Sequence, residues 1–340
     1  MIVAIVLAVM LCVSLMSNFS HLLSGVALSG KAGRKAHRFL EEATIEQNRS
    51  RNKIAVIDVQ GIIASEPFGR SGESMVDYVE DQLDLAGEDD AVKAVVLRVD
   101  SPGGEVLASD EIYRAITEFQ KHYSKPVVAS MSGLAASGGY YVSSPCRWIV
   151  ANELTITGSI GVIMHSYNYR GLLSKVGVRP EVFKSGKFKD MLSGEKTEEE
   201  TLPEERKMIQ DLIDETFARF KQVVKEGREF ARSMNGGKGR TLIENWEDYA
   251  DGRVLSGKQA YEFGFVDELG NFDAAAKRAR MIAGIADANL IQYQQPFDLG
   301  SLFRLFGESE GRATVKIDLG MDLPKLRVGR LYFLSSSVMH

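Results

Sequence analysis

One pattern restricts the fold more than any other: strand-like and helix-like segments alternate from Lys53 onward. Ile54–Val59 is a short, almost unbroken apolar run, and Met75–Leu85 carries apolar residues at helical spacing. Val92–Val99 is a second such run, Leu107–Tyr123 a second amphipathic helix, and Pro126–Met131 a third strand. Strands joined through helices run parallel with right-handed crossovers, and strands covered on both faces lose the apolar–polar alternation. The expected fold class is therefore α/β, with βαβ units on a largely parallel sheet. In such sheets the loops that follow the strands carry the chemistry. Two of them stand out: Ser101-Pro102-Gly103-Gly104 after the second strand, and the small-residue stretch Gly133–Gly139 after the third.

Downstream, Trp148–Ala151 is a further strand, Leu172–Val176 a helix and Glu181–Phe183 a short strand. A basic loop, Lys184–Asp190, and an acidic run, Glu198–Glu205, lead into a long helix through about Phe230. Its residues Met208, Leu212, Ile213, Phe217 and Phe220 form a stripe expected to serve packing. Helices near Ser256–Phe263 and Asp273–Ile282 and a strand at Leu290–Tyr293 follow. Leu331–Leu334 is expected to be a peripheral strand or a contact with another subunit.

Residues 1–30 contain no Asp, Glu, Lys or Arg, and Ile2–Met16 is almost continuously apolar. A bilayer core needs roughly 20 apolar residues, so 1–30 is expected to be an uncleaved transmembrane anchor. Lys31, Arg34, Lys35 and Arg38 follow it, and the positive-inside rule would put that side in the cytoplasm. The expected organisation is an anchor at 1–30, a linker at 31–52, a catalytic domain at 53–295 and an extension at 296–340. A net charge of −5 offers no electrostatic case for nucleic-acid binding. Two cysteines, Cys12 and Cys146, and five scattered histidines imply neither a disulfide framework nor a metal site. No cofactor is expected.

Ser137 lies between Ala135-Ala136 and Gly138-Gly139. Small neighbours let a ligand or a backbone approach closely, and a helix opening at Gly138 would place the serine at its N-terminus. A serine hydroxyl becomes a useful nucleophile only beside a base. Histidine and a lysine neutralised by burial are both candidates. Gly103-Gly104 can bring backbone N–H donors to a developing oxyanion.

The segments LRVDSPGGEV (97–106), AASGGYY (135–141), TGSIGVI (157–163) and KSGKFKD (184–190) resemble, in order and spacing, those of the signal peptide peptidase A family, short single-repeat form. These are membrane-anchored Ser–Lys peptidases related to the Clp and crotonase folds. The resemblance implies Ser137 as nucleophile and Lys189 as general base, with Ser159 orienting the lysine amine. It implies Gly104 and a donor near Gly138 as the oxyanion hole. It also implies a homo-oligomeric ring, an apolar, signal-peptide-like substrate and an extracytoplasmic catalytic domain at the cell membrane, against the charge reading. Asp100 departs from the family's usual asparagine. Lys184 is a reserve base, and His165 stands at a spacing that suits a Clp-like Ser–His mechanism. A crotonase-like acyl-CoA enzyme and an inactive membrane scaffold are the rival readings.

Overall fold

The computed structural model describes residues 40–66, 74–295 and 330–334. The expected anchor, the start of the linker and most of 296–340 lie outside the described residues. Among the described residues no helix is long and apolar enough to cross a membrane.

The elements, in chain order, are β1 (Glu41–Glu46), β2 (Lys53–Gln60), α1 (Met75–Glu88), β3 (Val92–Ser101), β4 (Gly103–Glu105), α2 (Val106–Tyr123), β5 (Val127–Ala135), α3 (Gly138–Ser143), β6 (Trp148–Ala151), β7 (Ile156–Gly158) and β8 (Ile163–Met164). There follow α4 (Arg170–Lys175), α5 (Pro203–Met234), a 3-10 turn at Trp246–Tyr249, β9 (Val254–Ser256), α6 (Gly257–Glu262), β10 (Glu268–Leu269), α7 (Phe272–Ile282), β11 (Asn289–Gln294) and β12 (Leu331–Leu334). The main sheet has the order β1-β11-β2-β3-β5-β6-β10 and is parallel from β11 to β10. The α/β class with a largely parallel sheet is the one the alternation implied.

The central strands read as unbroken apolar runs because both faces are covered. Val95, Leu97 and Val99 of β3 face one way, into a core with Val79 and Leu83 of α1 and Ile112 and Ile116 of α2. Ala94 and Val96 face the other way, against Ala275, Ala276 and Ala279 of α7. A helix with alanine on its inner face can lie close to the sheet. Each fully buried Val, Leu or Ile adds about 1.5–3 kcal/mol.

Three segments differ from the sequence reading. Glu41–Glu46 is not linker but an edge strand, antiparallel to β11. Its charged, mostly exposed residues give no apolar pattern, a composition typical of protected edges. Glu181–Phe183 forms no strand; Phe183 is 92% exposed, so nothing there favours pairing. The apolar stripe of α5 is divided: Phe220, Val223 and Val224 are buried, whereas Met208 and Leu212 are exposed. The packed half reaches the site because Gly227 faces the end of α3. A Cβ there would stand 2.3 Å from the Ser144 carbonyl oxygen.

Beneath that crossing lies a buried ion pair, Arg228–Asp267, both side chains nearly inaccessible. The Asp267 carboxylate also accepts the Ile149 N–H at 2.9 Å and the Arg240 N–H at 3.0 Å, tying α5 and the chain before β10 to β6. Removing one member of such a pair strands the other charge. Asp267→Ala is expected to lower unfolding free energy by about 3–5 kcal/mol in urea titrations. A loss below about 1 kcal/mol would show that the pair does not hold α5 in place.

Candidate active site

The site forms where β3 and β5 end. The Thr157 hydroxyl donates to the Ala135 carbonyl at 2.6 Å, and the Ala136 N–H donates to the Ser101 carbonyl at 3.0 Å. The Ser137 N–H then donates to Gly158 O at 2.8 Å. Ser137 is thus clamped between the β3 loop and β7, in a conformation with φ 54° and ψ −116°. Positive φ is uncommon for a residue with a Cβ and costs on the order of 1–3 kcal/mol. Ser137 is 1% exposed, and among the described residues its Oγ has no hydrogen-bond partner. A buried hydroxyl left unpaired costs about 1–3 kcal/mol.

Two backbone donors converge beside it. The Ile63 N–H donates to Gly103 O at 3.0 Å and the Glu105 N–H to Ile63 O at 2.8 Å. Because bonding direction alternates along a strand, the Gly104 N–H points away from Ile63, to the side where Phe333 of β12 stands opposite it. A Cβ on Gly138 would come within 3.1 Å of the Gly104 nitrogen, so the two donors are close neighbours. Gly103, at φ 101°, has a backbone carbonyl on one side and the Gly138 nitrogen on the other: a Cβ there would meet Phe333 O at 1.9 Å and Gly138 N at 2.6 Å. Asp100 is exposed, and its carboxylate accepts the Leu134 N–H at 3.2 Å, linking the two loops without entering the site.

Ser159 follows Gly158, is buried, has φ 51° and donates its N–H to Arg253 O at 2.7 Å. It lines a cavity of about 400 Å³ together with Val162, Phe217, Asp251 and Leu334. Arg253 hydrogen-bonds Asp251 and holds its carboxyl at about 2, so that wall stays ionised at any physiological pH.

Ser137, Gly138, Gly104 and Ser159 are therefore brought together, while Lys189 stands apart from them in the exposed loop after α4. In that loop Lys184 binds both oxygens of Asp190 at 2.7 Å, Lys187 meets Glu204 at 3.2 Å and Lys196 meets Glu205 at 2.7 Å. The Lys189 amine has no partner among the described residues. His165, half-buried just past β8, does not hydrogen-bond the Ser137 Oγ either.

The sequence reading missed what β12 does. It runs antiparallel to both β4 and β8 and closes a three-stranded sheet over the site. Phe333 is fully buried, stacked on Tyr141 at 4.8 Å and against Phe220 at 4.6 Å. Burial, with its hydroxyl donating to Asp110 at 2.7 Å, pushes the Tyr141 phenol well above its ordinary range, so this wall stays neutral. The apolar run Leu331–Leu334 is visible in the sequence, but its partners are more than 160 residues away.

A buried, strained serine beside converging backbone donors, at the strand ends of a parallel α/β sheet, is the apparatus of a serine hydrolase. The family model for Peptidase family S49 matches residues 119–286. A putative protease of Synechocystis sp. is 37% identical over 80% of this chain and 89% of its own length. A protein of Enterococcus faecium described as a putative signal peptide peptidase SppA is 38% identical, over 75% and 71% of the two chains. A mutant of the 1510-N membrane-bound stomatin-specific protease, solved with a substrate peptide, aligns at 14% identity and a TM-score of 0.44, over 75% of this chain and 97% of that one. The chain belongs to peptidase family S49, the signal peptide peptidase A group, and is a serine-type peptidase.

The spacing of the donors gives a direct check. Gly138→Ala would place a methyl 2.7 Å from Ser109 Oγ and 3.0 Å from Gly103 Cα, spreading the donor pair. The expected result is a fall in kcat/KM of at least about 100-fold on apolar peptides, with circular dichroism unchanged. Near-normal activity would show that these N–H groups do not act on the transition state.

Proposed function

We propose that this chain is a membrane-anchored endopeptidase in which Ser137 attacks the peptide carbonyl and Lys189 serves as general base. Its substrates are extended apolar peptides such as signal peptides left in the membrane after release. The observation that carries the reading is the Ser137 Oγ: it is buried, on a strained backbone, and without a hydrogen-bond partner among the described residues. Lys189 is offered from an exposed loop whose other lysines at 184, 187 and 196 are paired with carboxylates.

The base then comes from a neighbouring subunit of a ring. The segment between β8 and the lysine loop supports this, because it exposes Tyr167, Leu172, Val176, Val182 and Phe183 within a short stretch of chain. Ser159 lines the cavity through which an incoming amine would approach and orients it. An anchor at 1–30 and the residues between it and β1 tether the catalytic domain, which includes β1, outside the cytoplasm.

Chemically, the neutral Lys189 amine takes the Ser137 proton as Oγ bonds to the carbonyl carbon. The Gly104 and Gly138 N–H groups hold the oxyanion. The lysine ammonium protonates the departing amine as the C–N bond breaks, leaving an acyl-serine ester. Water, deprotonated by the same lysine, releases the acid and restores Ser137.

Ser137→Ala and Lys189→Ala are each expected to abolish cleavage of apolar peptides, while Lys184→Ala and His165→Ala remain active. Co-refolding the two inactive variants should restore part of the activity, since some interfaces then pair an intact serine with an intact lysine. The amine must be neutral to accept a proton, so kcat/KM is expected to rise with pH and fall as the solution is acidified. Activity retained in Lys189→Ala and lost in His165→Ala would transfer the role of base to the histidine. No recovery on mixing would confine the dyad to one chain.

A further inference from the structure

The groove occupied by β12 ends on a charge that neither the family resemblance nor the mechanism uses. Glu105 follows Gly104 directly, yet it is only 8% exposed. It precedes α2, but its carboxylate makes no capping bond to that helix. Instead, one oxygen accepts the Ser65 N–H at 3.2 Å and the other meets the guanidinium of Arg330. Glu66 stands behind the same guanidinium at 3.8 Å. A carboxylate held in so dry a place by one backbone N–H is poorly compensated unless a cation also reaches it.

The strand carrying that cation is seated as a substrate strand would be. Tyr332 is opposite Glu105, Phe333 opposite Gly104 and Leu334 opposite Gly103. The Phe333 carbonyl is the one that comes up to the donor pair, as its closeness to the Gly103 Cβ position records. Arg330 therefore lies three residues ahead of the residue presented to Gly104.

We propose that Glu105 is a specificity-determining residue. It selects peptides with an arginine or lysine three positions before an aromatic or large apolar residue whose carbonyl faces Gly104, and Arg330 holds that place in the free enzyme. The proposal rests on the assignment of Ser137 and Gly104 to peptide cleavage. It adds to an apolar groove a single cation site, matching a peptide in which a basic residue immediately precedes an apolar stretch.

The test uses the full chain carrying Arg330→Gln, so that its own arginine no longer competes, with and without Glu105→Gln. Fluorescein-labelled RLYFLS and QLYFLS peptides are compared for binding by anisotropy in a Ser137→Ala background, and for kcat/KM in the active chain. With Glu105 present, the arginine peptide is expected to bind at least about tenfold more tightly, through KM rather than kcat, and less so at high salt. In Glu105→Gln the ratio should fall towards one. A carboxylate that only held the loop in shape would weaken both peptides equally and leave the ratio where it was. Equal binding of the two peptides, no binding of either, or an arginine preference that survives Glu105→Gln overturns the proposal. Selective binding with no cleavage by any active chain would leave the cation site standing and remove the peptidase assignment of Ser137.

Discussion

Close backbone approach at Gly103, Gly104, Gly138 and Gly139 is the constraint on which the rest of the site depends. A Cβ on Gly104 would fall 1.9 Å from Ile63 O, and one on Gly139 would fall 2.7 Å from Ser101 O. Only bare backbone fits, and as a result the β3 loop touches the chain after β2 on one side and the start of α3 on the other. That contact turns two N–H groups towards one point and forces Ser137 into positive φ, because Ala136 and Gly139 are both fixed by hydrogen bonds around it. The strain at Ser137 is offset by the well-packed sheet beneath it. The same core that stabilises the fold therefore keeps Ser137 in a conformation it would otherwise leave.

How much of this was legible in the sequence follows from the range of each interaction. Strands β2, β3 and β5 and helices α1 and α2 were readable because apolar periodicity is local and both sheet faces are buried. The nearness of the Ser137 and Gly104 loops was readable because each follows a strand of the parallel sheet, while the roles given to the two residues came from the family resemblance. β1 was not readable, since an edge strand of Glu, Ala, Thr and Ile carries no core pattern and owes its existence to β11, some 250 residues later. The role of β12 was hidden for the same reason. The stripe of α5 misled in its first half because Met208 and Leu212 have the right spacing but no described element to cover them. Periodicity reports a face, not its partner.

The uncovered residues are concentrated rather than scattered. Seven of the sixteen exposed large apolar side chains among the described residues lie between Tyr167 and Phe183, whereas β2, β3 and β6 expose none. The chain between β8 and α5 also contains the four lysines at 184, 187, 189 and 196. The cavity at Ser159 is lined from the two ends of this stretch, by Ile163 of β8 and by Gln210 and Ile213 of α5. Among the described residues the Ser137 Oγ has no hydrogen-bond partner, and Lys189 is exposed.

Charge pairing then separates the lysines. A lysine that is to take a proton from serine must spend time as the neutral amine, and a carboxylate in contact opposes that by favouring the ammonium. The hydrogen bond from Lys184 is the main reason that Asp190 is held below the usual carboxylate range, and the same bond fixes the Lys184 ammonium in place. Lys196 is bound still more tightly, between Glu205 and Asp190: its hydrogen bond to Glu205 raises its proton affinity by more than its burial lowers it. Lys187 meets Glu204 and lies over the Phe188 ring. Each of these three is held by a carboxylate. Lys189 has no such carboxylate partner among the described residues. The acidic residues in and beside the loop thus do more than balance charge: they fix Lys184, Lys187 and Lys196 in place.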